Sequence, residues 1–198
     1  VVGITNTLNL IDGLDGLAAG VAMISSLSLT LVAQKFGYDT VVIMSAIVAG
    51  GCLGFLRFNF NPAKIFMGDT GALFLGFMLA AISIEGVMKS VATIAIIVPI
   101  IILGVPIFDT TFAIFRRILS GKSIMSADKG HLHHRLLARG YSQRKTVLIL
   151  YAISGFFGLF AVLIAKANSQ QAVYLSMIML IVTVVFALKF GLFGTRKK

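Results

Sequence analysis

The sequence predicts an all-α, polytopic membrane helical bundle with six transmembrane helices, and three observations predict it. Of 198 residues, 58% are hydrophobic and only 12% charged, whereas a soluble domain runs roughly 45–50% apolar and about 25% charged. The charges leave six uncharged runs, 16–34, 40–56, 70–84, 90–108, 146–165 and 167–188, of 19, 17, 15, 19, 20 and 22 residues, near the ~20 that a membrane helix needs. No run alternates with period two, so a closed barrel is excluded and the helix is the structure that leaves no backbone group unsatisfied in lipid. Disorder is excluded as well, because it requires low hydrophobicity and high charge.

The first run opens after Gly16. The second holds Gly50, Gly51, Cys52 and Gly54, small residues suited to close helix packing; a single cysteine permits no intrachain disulfide. The third is short and must borrow flanking residues or sit inside the bundle. The fourth contains Pro99 and Pro106, where a lost backbone hydrogen bond predicts a kink. The fifth and sixth are of full length. A long polar insertion separates helices four and five.

Six spans place both ends on one side. Segments 1–15, 57–69, 109–145 and 189–198 hold fourteen of the seventeen Lys and Arg residues, and segments 35–39, 85–89 and 166 hold three. The bias puts the first set in the cytoplasm, so the net charge of +10 is a topology signal and nucleic acid is not expected as a partner. The expected organisation is one integral-membrane domain over 1–198, with cytoplasmic loops 1–15, 57–69 and 113–145 and a cytoplasmic tail 189–198. The dense polar motif begins at once, without methionine or signal peptide, and the chain is expected to be the C-terminal part of a longer protein.

Five of the seven acids, Asp12, Asp15, Asp69, Asp109 and Asp128, fall on the cytoplasmic side; Asp39 and Glu85 lie opposite. Carboxylates at a membrane edge are costly, and their convergence calls for a cation. The first cluster is Asn6-x-x-Asn9-x-x-Asp12-Gly13-Leu14-Asp15-Gly16. Spacing of three fans side chains over one helical face. Capping of the next helix accounts for one Asp but not for two Asn and two Asp in ten residues, which favours a site. The second is Asn59-Phe60-Asn61-Pro62-Ala63-Lys64-Ile65-Phe66-Met67-Gly68-Asp69-Thr70-Gly71. There Asp69 is either a helix cap or part of a metal-phosphate site, and Asn59 and Phe66 are either ordinary loop and core residues or a hydrogen-bonding group and a stacking face for a base. The third is Asp128-Lys129-Gly130-His131-Leu132-His133-His134-Arg135, which contains every histidine of the chain. Zinc is disfavoured, since no cysteine is near and the spacing is not that of a zinc helix. With Arg116, Arg117, Lys122 and Lys129 nearby, a polyphosphate clamp fits better than a merely solvated basic loop. Asp109 reads equally as a structural partner of Arg116, seven residues on, and as a functional acid.

Taken in order, Asn6-x-x-Asn9-x-x-Asp12-Gly13-x-Asp15-Gly16-Leu17, Phe66-Met67-Gly68-Asp69-Thr70-Gly71, Pro106-x-x-Asp109 and Asp128-x-x-His131-x-His133-His134 resemble the polyprenyl-phosphate N-acetylhexosamine-1-phosphate transferase family over nearly all of 1–190. The His-x-His-His form is similar to the branch that uses UDP-N-acetylglucosamine in teichoic-acid, O-antigen or related cell-envelope pathways. The phospho-N-acetylmuramoyl-pentapeptide transferase branch shows three adjacent histidines and then an acid, a pattern absent here. The resemblance implies a bundle of ten or eleven helices in the bacterial plasma membrane, with an active site facing the cytoplasm and an earlier Asp-Asp motif that this sequence lacks. It implies magnesium, with manganese as a substitute, held by Asp69 and Asp12. Asp12, Asp15, Asp69 and His131 would be catalytic. Asn6, Asn9, Asn59, Phe66, Arg117, His133 and His134 would bind substrate, with Asn59 and Phe66 on the uracil and Arg117 and the histidines on the diphosphate and sugar. The implied partners are UDP-N-acetylglucosamine, polyprenyl phosphate and the bilayer, with homodimerisation open to any lipid-facing span. Two further readings are a non-enzymatic ion-conducting or transport bundle and a regulatory remnant without the Asp-Asp motif.

An ion path requires acids in mid-span, whereas a transferase site requires them at the cytoplasmic ends. Cysteine placed at 12 or 69 is expected to react with a membrane-impermeant maleimide from the cytoplasmic face alone; protection from both faces would favour the conduction reading.

Overall fold

A computed structural model of the chain describes residues 1–88, 94–121, 123 and 130–189. Among them there are helices and no strands: α1 (Val2–Ile11), α2 (Leu17–Phe36), α3 (Asp39–Asn59), α4 (Gly68–Met88), α5 (Ile94–Ile102), α6 (Gly104–Leu119), α7 (Leu132–Ala138), α8 (Gln143–Lys166) and α9 (Ser169–Lys189). Four of these, α2, α3, α4 and α8, are long and apolar enough to cross a membrane, and α5 with α6 adds a fifth if the bent pair is one span. The chain is thus an all-α polytopic membrane protein. Among the described residues that makes four to five spans against the six expected; α9, at 21 residues, follows α8.

α2 lies at the centre, 67% buried along its apolar window against 28% for α3. Its buried positions include Ala18, Ala19, Gly20, Ala22, Ser25 and Ser26. Small side chains let neighbouring backbones approach, which is where packing energy comes from once lipid has removed the hydrophobic drive between helices. α3 returns along α2 after a tight turn at Gly37, which has φ of 69° and donates its N–H to the carbonyls of Ala33 and Gln34, a glycine stop of the usual kind. Thr30 Oγ1 and Ser45 Oγ meet at 2.8 Å across that hairpin. The short third run does borrow its flanks: α4 takes in Gly68 and Asp69 at one end and Glu85 at the other.

Segment 1–15, expected as a loop, is helical over Val2–Ile11. α1 packs along α4, where a Cβ on Gly76 would sit 2.7 Å from Thr5 Cα. Thr5 and Asn6 turn their side chains back to the carbonyls of Val1 and Val2.

The fourth span bends by 84° between Ile96–Ile102 and Gly104–Leu119. The break falls at Leu103, not at either proline. Pro106 sits in the first turn of α6, where no N–H is needed. The carbonyl of Ile102, four residues before Pro106, would have accepted that missing N–H; Ser25 Oγ donates to it instead at 3.2 Å. Because α6 runs on to Leu119, much of the expected loop 113–145 is structured. Asp109, Arg116 and Arg117 are helical residues, and α7 follows. Of the basic insertion, Lys122, Asp128 and Lys129 lie outside the described residues.

α8 starts at Ser142, whose Oγ accepts from Lys145 N at 3.3 Å, and packs against α2 with Tyr151 over Gly20 and Ser28 over Gly158. A Cβ on Gly20 would collide with the Tyr151 ring and hydroxyl. Gly20→Ala is therefore expected to destabilise the protein in detergent by about 1–3 kcal/mol. Gly155→Ala, which meets nothing within 4 Å, is expected to leave stability unchanged or slightly raised. Thermal unfolding of the two variants checks this.

Candidate active site

α1 and α4 run antiparallel, and the contact of Thr5 with Gly76 fixes their register. Seven residues on from Thr5 is Asp12, and seven residues back from Gly76 is Asp69. The register therefore brings the C-terminal end of α1 and the first turn of α4 to the same end of the bundle. Asp12 senses that neighbour: burial, and secondarily the charge of Asp69, hold its carboxyl above the usual range. Asp69 itself is exposed. Asn6 and Asn9 lie on α1, Asn6 exposed with its amide Nδ2 on Val2 O at 3.0 Å, and Asn9 half-buried.

The turn from α1 to α2 is fastened from three directions. Gly16, at φ of 78°, is in the left-handed region that favours glycine. Its N–H donates to Asn59 Oδ1 at 3.0 Å, and its carbonyl accepts from the Tyr151 hydroxyl. Asn59 is buried, and its Nδ2 donates to Ile65 O at 2.9 Å. One amide thus braces both the α2 start and the 60–67 loop. Asp15 Oδ2 accepts from Asn61 Nδ2 at 3.0 Å and from Ala63 N at 3.1 Å, and Arg144 Nε donates to Asn61 O at 2.9 Å. Asp15 and Asn59 therefore hold the two acidic segments together. The loop ends with Phe66 displayed at 75% exposure, an open aromatic face next to Met67, Gly68 and Asp69.

The histidine segment closes the other side. His131 and His133 are buried, at 5% and 2% exposure, with rings parallel at 5.9 Å, and His134 tilts against His133 at 4.2 Å. His133 reaches the first motif, since a Cβ on Gly13 would lie 2.8 Å from its Nε2. Asp109 does not pair along its own helix with Arg116: its Oδ2 meets His131 Nδ1 at 2.8 Å and its Oδ1 accepts from Leu132 N at 2.7 Å. The Arg116 guanidinium lies against Gly130, and Arg135 Nε donates to Gly130 O at 2.9 Å. Arg117, beside Arg116 in the last turn of α6, is half-buried. Arginine and histidine thus gather around residues 130–134, while Asp12 and Asp69 form the acidic side. Sequence reasoning missed Asn61, Arg144 and Tyr151. Tyr151 alone carried a signal, as a polar-tipped aromatic inside an apolar run.

Below α6 lies an apolar cavity of about 400 Å³, lined by Phe108, Phe112, Ile153, Phe157, Met179 and Val182, with Asp109 at its wall. For a divalent cation, the donor set fits in kind. Among the described residues no three metal-ligating side chains converge, but magnesium is commonly held by one or two carboxylates with substrate phosphates and water completing the shell. Two carboxylates that repel one another, as Asp12 and Asp69 do, suit that need.

Residues 1–87 match the family model described as glycosyl transferase family 4, and the likeness extends over the whole chain. A Bacillus subtilis (strain 168) protein named "Probable undecaprenyl-phosphate N-acetylglucosaminyl 1-phosphate transferase" is 47% identical across 100% of this chain and 55% of its own length. The chain is thus similar to glycosyl transferase family 4 over residues 1–87, and to this relative over its whole length. The decaprenyl-phosphate N-acetylglucosaminephosphotransferase of Mycobacterium tuberculosis (strain ATCC 25618 / H37Rv) is 38% identical over 89% of the chain and 49% of its own length. The phospho-N-acetylmuramoyl-pentapeptide-transferase of Acetivibrio thermocellus is 39% identical over 80% and 48%. The chain spans about half the length of the curated relatives it matches.

Burial pushes the His133 imidazole down to about 4; the charges of His134 and His131 act in the same direction and Asp109 opposes them. A depressed pKa means that the unfolded state binds the proton first. The contribution of His133 to stability is then complete above the ordinary histidine value of about 6.5 and is lost as pH falls toward 4. Acid titration of stability is expected to decline over that window by up to about 3 kcal/mol, and His133→Gln is expected to flatten the decline.

Proposed function

We propose that the protein to which this chain belongs transfers N-acetylglucosamine-1-phosphate from UDP-N-acetylglucosamine to a polyprenyl phosphate such as undecaprenyl phosphate. The reaction would take place at the cytoplasmic face of a bacterial plasma membrane, as the first membrane step of a cell-envelope polymer. The observation that carries the reading is the 47% identity over the whole chain to the B. subtilis relative of that name. The geometry supports it, with acidic and cationic groups facing a common end of an apolar bundle. The His131-x-His133-His134 form favours this donor over the phospho-N-acetylmuramoyl-pentapeptide of the other branch.

In this reading the terminal phosphate oxygen of the polyprenyl phosphate attacks the β-phosphorus of the nucleotide-sugar. A new P–O bond forms, the bridge oxygen to the α-phosphorus departs with UMP, and a polyprenyl-diphospho-N-acetylglucosamine remains. Such a transfer needs in-line positioning and neutralisation of spreading negative charge more than covalent help from the protein. Asp69 and Asp12 would hold magnesium, or manganese in its place. When bound, the ion neutralises phosphate charge and orients the reacting oxygens. Phe66 offers its exposed ring to the uracil face, beside the Asn59-braced loop. Arg117 and the residues 131–134 grip the diphosphate and sugar; Asn6, Asn9 and Asp15 line or brace the donor side. The 400 Å³ apolar cavity suits part of the polyprenyl tail, so that the acceptor keeps its chain in an apolar setting while its phosphate meets the site.

In the full-length enzyme, Asp69→Asn is expected to abolish magnesium-dependent transfer of radiolabelled N-acetylglucosamine-1-phosphate to polyprenyl phosphate while leaving helical content intact. Turnover within about tenfold of wild type would remove Asp69 from the metal role. Absence of labelling by the wild-type enzyme with this and other UDP-sugars would overturn the transferase reading.

A further inference from the structure

We propose that Asp109 is a positioning residue acting through His131. It fixes one orientation and one tautomer of that imidazole, so that Nε2 is the atom presented to the diphosphate of the nucleotide-sugar. The inference rests on the transferase reading and deepens it.

Asp109 and His131 are both almost fully buried, at 6% and 5% exposure, and 22 residues apart in sequence. The carboxylate uses both oxygens on one short stretch of chain. Oδ1 accepts from Leu132 N at 2.7 Å, and Oδ2 meets His131 Nδ1 at 2.8 Å. An ionised carboxylate only accepts hydrogen bonds, so the proton of that contact belongs to Nδ1. With Nδ1 committed, Nε2 is the ring nitrogen left for substrate, and rotating the ring by half a turn would break the bond. The backbone bond matters equally. α7 begins at Leu132 after the N-cap His131, which makes no side-chain cap bond, and Asp109, reaching across from α6, accepts the first of the helix's free N–H groups, that of Leu132. Ring and backbone are thereby located from one point on α6. The surroundings limit any drift: His133 lies parallel at 5.9 Å with 6° between the planes, and Gly130 is flanked by the Arg116 guanidinium and bonded through its carbonyl to Arg135. Asp109 itself faces the apolar cavity wall formed with Phe108, Phe112 and Leu132, so the carboxylate is placed where its bonds are shielded from water.

The test uses the full-length enzyme with UDP-N-acetylglucosamine and polyprenyl phosphate. Asp109→Asn keeps an oxygen for Leu132 N but offers an N–H to His131, which forces Nδ1 to become an acceptor and moves the proton to Nε2. The expected result is a fall in kcat of about 10- to 100-fold with little change in KM for the nucleotide-sugar. In 15N-histidine spectra His131 should change from the Nδ1–H to the Nε2–H tautomer. Adding Asp109→Asn to His131→Ala should lower the rate no further than His131→Ala alone, because the two act as one unit. Multiplicative effects in the double variant, a KM change with unaltered kcat, or an unchanged tautomer would each overturn the proposal. If Asp109→Asn fails to fold, Asp109→Glu takes its place: the longer carboxylate displaces the ring and is expected to lower kcat, whereas wild-type kcat in that variant overturns the proposal. A wild-type enzyme inactive with every UDP-sugar would sink the transferase reading instead, and the histidine spectra would still decide whether Asp109 sets the tautomer of His131.

Discussion

The arrangement of the candidate site depends on the backbone of one residue, Gly16. Its N–H is taken by Asn59 Oδ1 and its carbonyl by the Tyr151 hydroxyl, so the start of α2 is bonded to the end of α3 and to α8 at a single residue. A buried backbone group left without a partner costs about 1–3 kcal/mol. The elements consequently cannot separate without leaving the buried Gly16 N–H and the Asn59 amide unpaired. Asp15, one residue earlier, extends the joint to Asn61 and Ala63. This is why two acidic motifs more than forty residues apart keep a fixed relation.

Around that joint, chemistry and membrane physics divide the molecule. The spans carry small and apolar residues, and the polar side chains inside them mostly bond to carbonyls of their own helix, as Ser28, Ser45, Ser83 and Thr183 do. Ser25 instead reaches across to the bend: by donating to Ile102 O it satisfies the carbonyl that Pro106 cannot use. The 84° turn then carries α6 away from the axis of α5 and delivers Asp109 to the histidine segment. A feature that looks like a helix defect places a functional group.

Asp12, Asp15 and Asp69 gather at helix ends while Asp109 lies within α6; the helix-end acids suit the proposed meeting of a water-soluble nucleotide-sugar with a lipid. Repulsion between Asp12 and Asp69 and the concentration of Arg and His around residues 130–134 are complementary halves of one electrostatic arrangement. In the proposed reaction the first would attract a cation, and the second the phosphates that accompany it.

The sequence by itself determined the membrane class, the positions of the apolar helices and the grouping of acids, histidines and arginines. Hydropathy and charge belong to each residue and can be summed along the chain. It was a poor guide to the ends of elements: segment 1–15 carries few apolar residues in a row and reads as a loop, yet it is helical against α4 because Gly76 admits its backbone. The proline kink was legible, but its place at Leu103 was not, and neither was the partner of the freed Ile102 carbonyl, Ser25, which lies 77 residues away. Only the tertiary structure decided that Asp109 belongs to His131 and not to Arg116, that Asn59 braces Gly16, and that Asp12 stands opposite Asp69. Each of these depends on the packing register of separate helices, where a shift of one residue turns a side chain by about 100°, and no local pattern in the chain encodes that register.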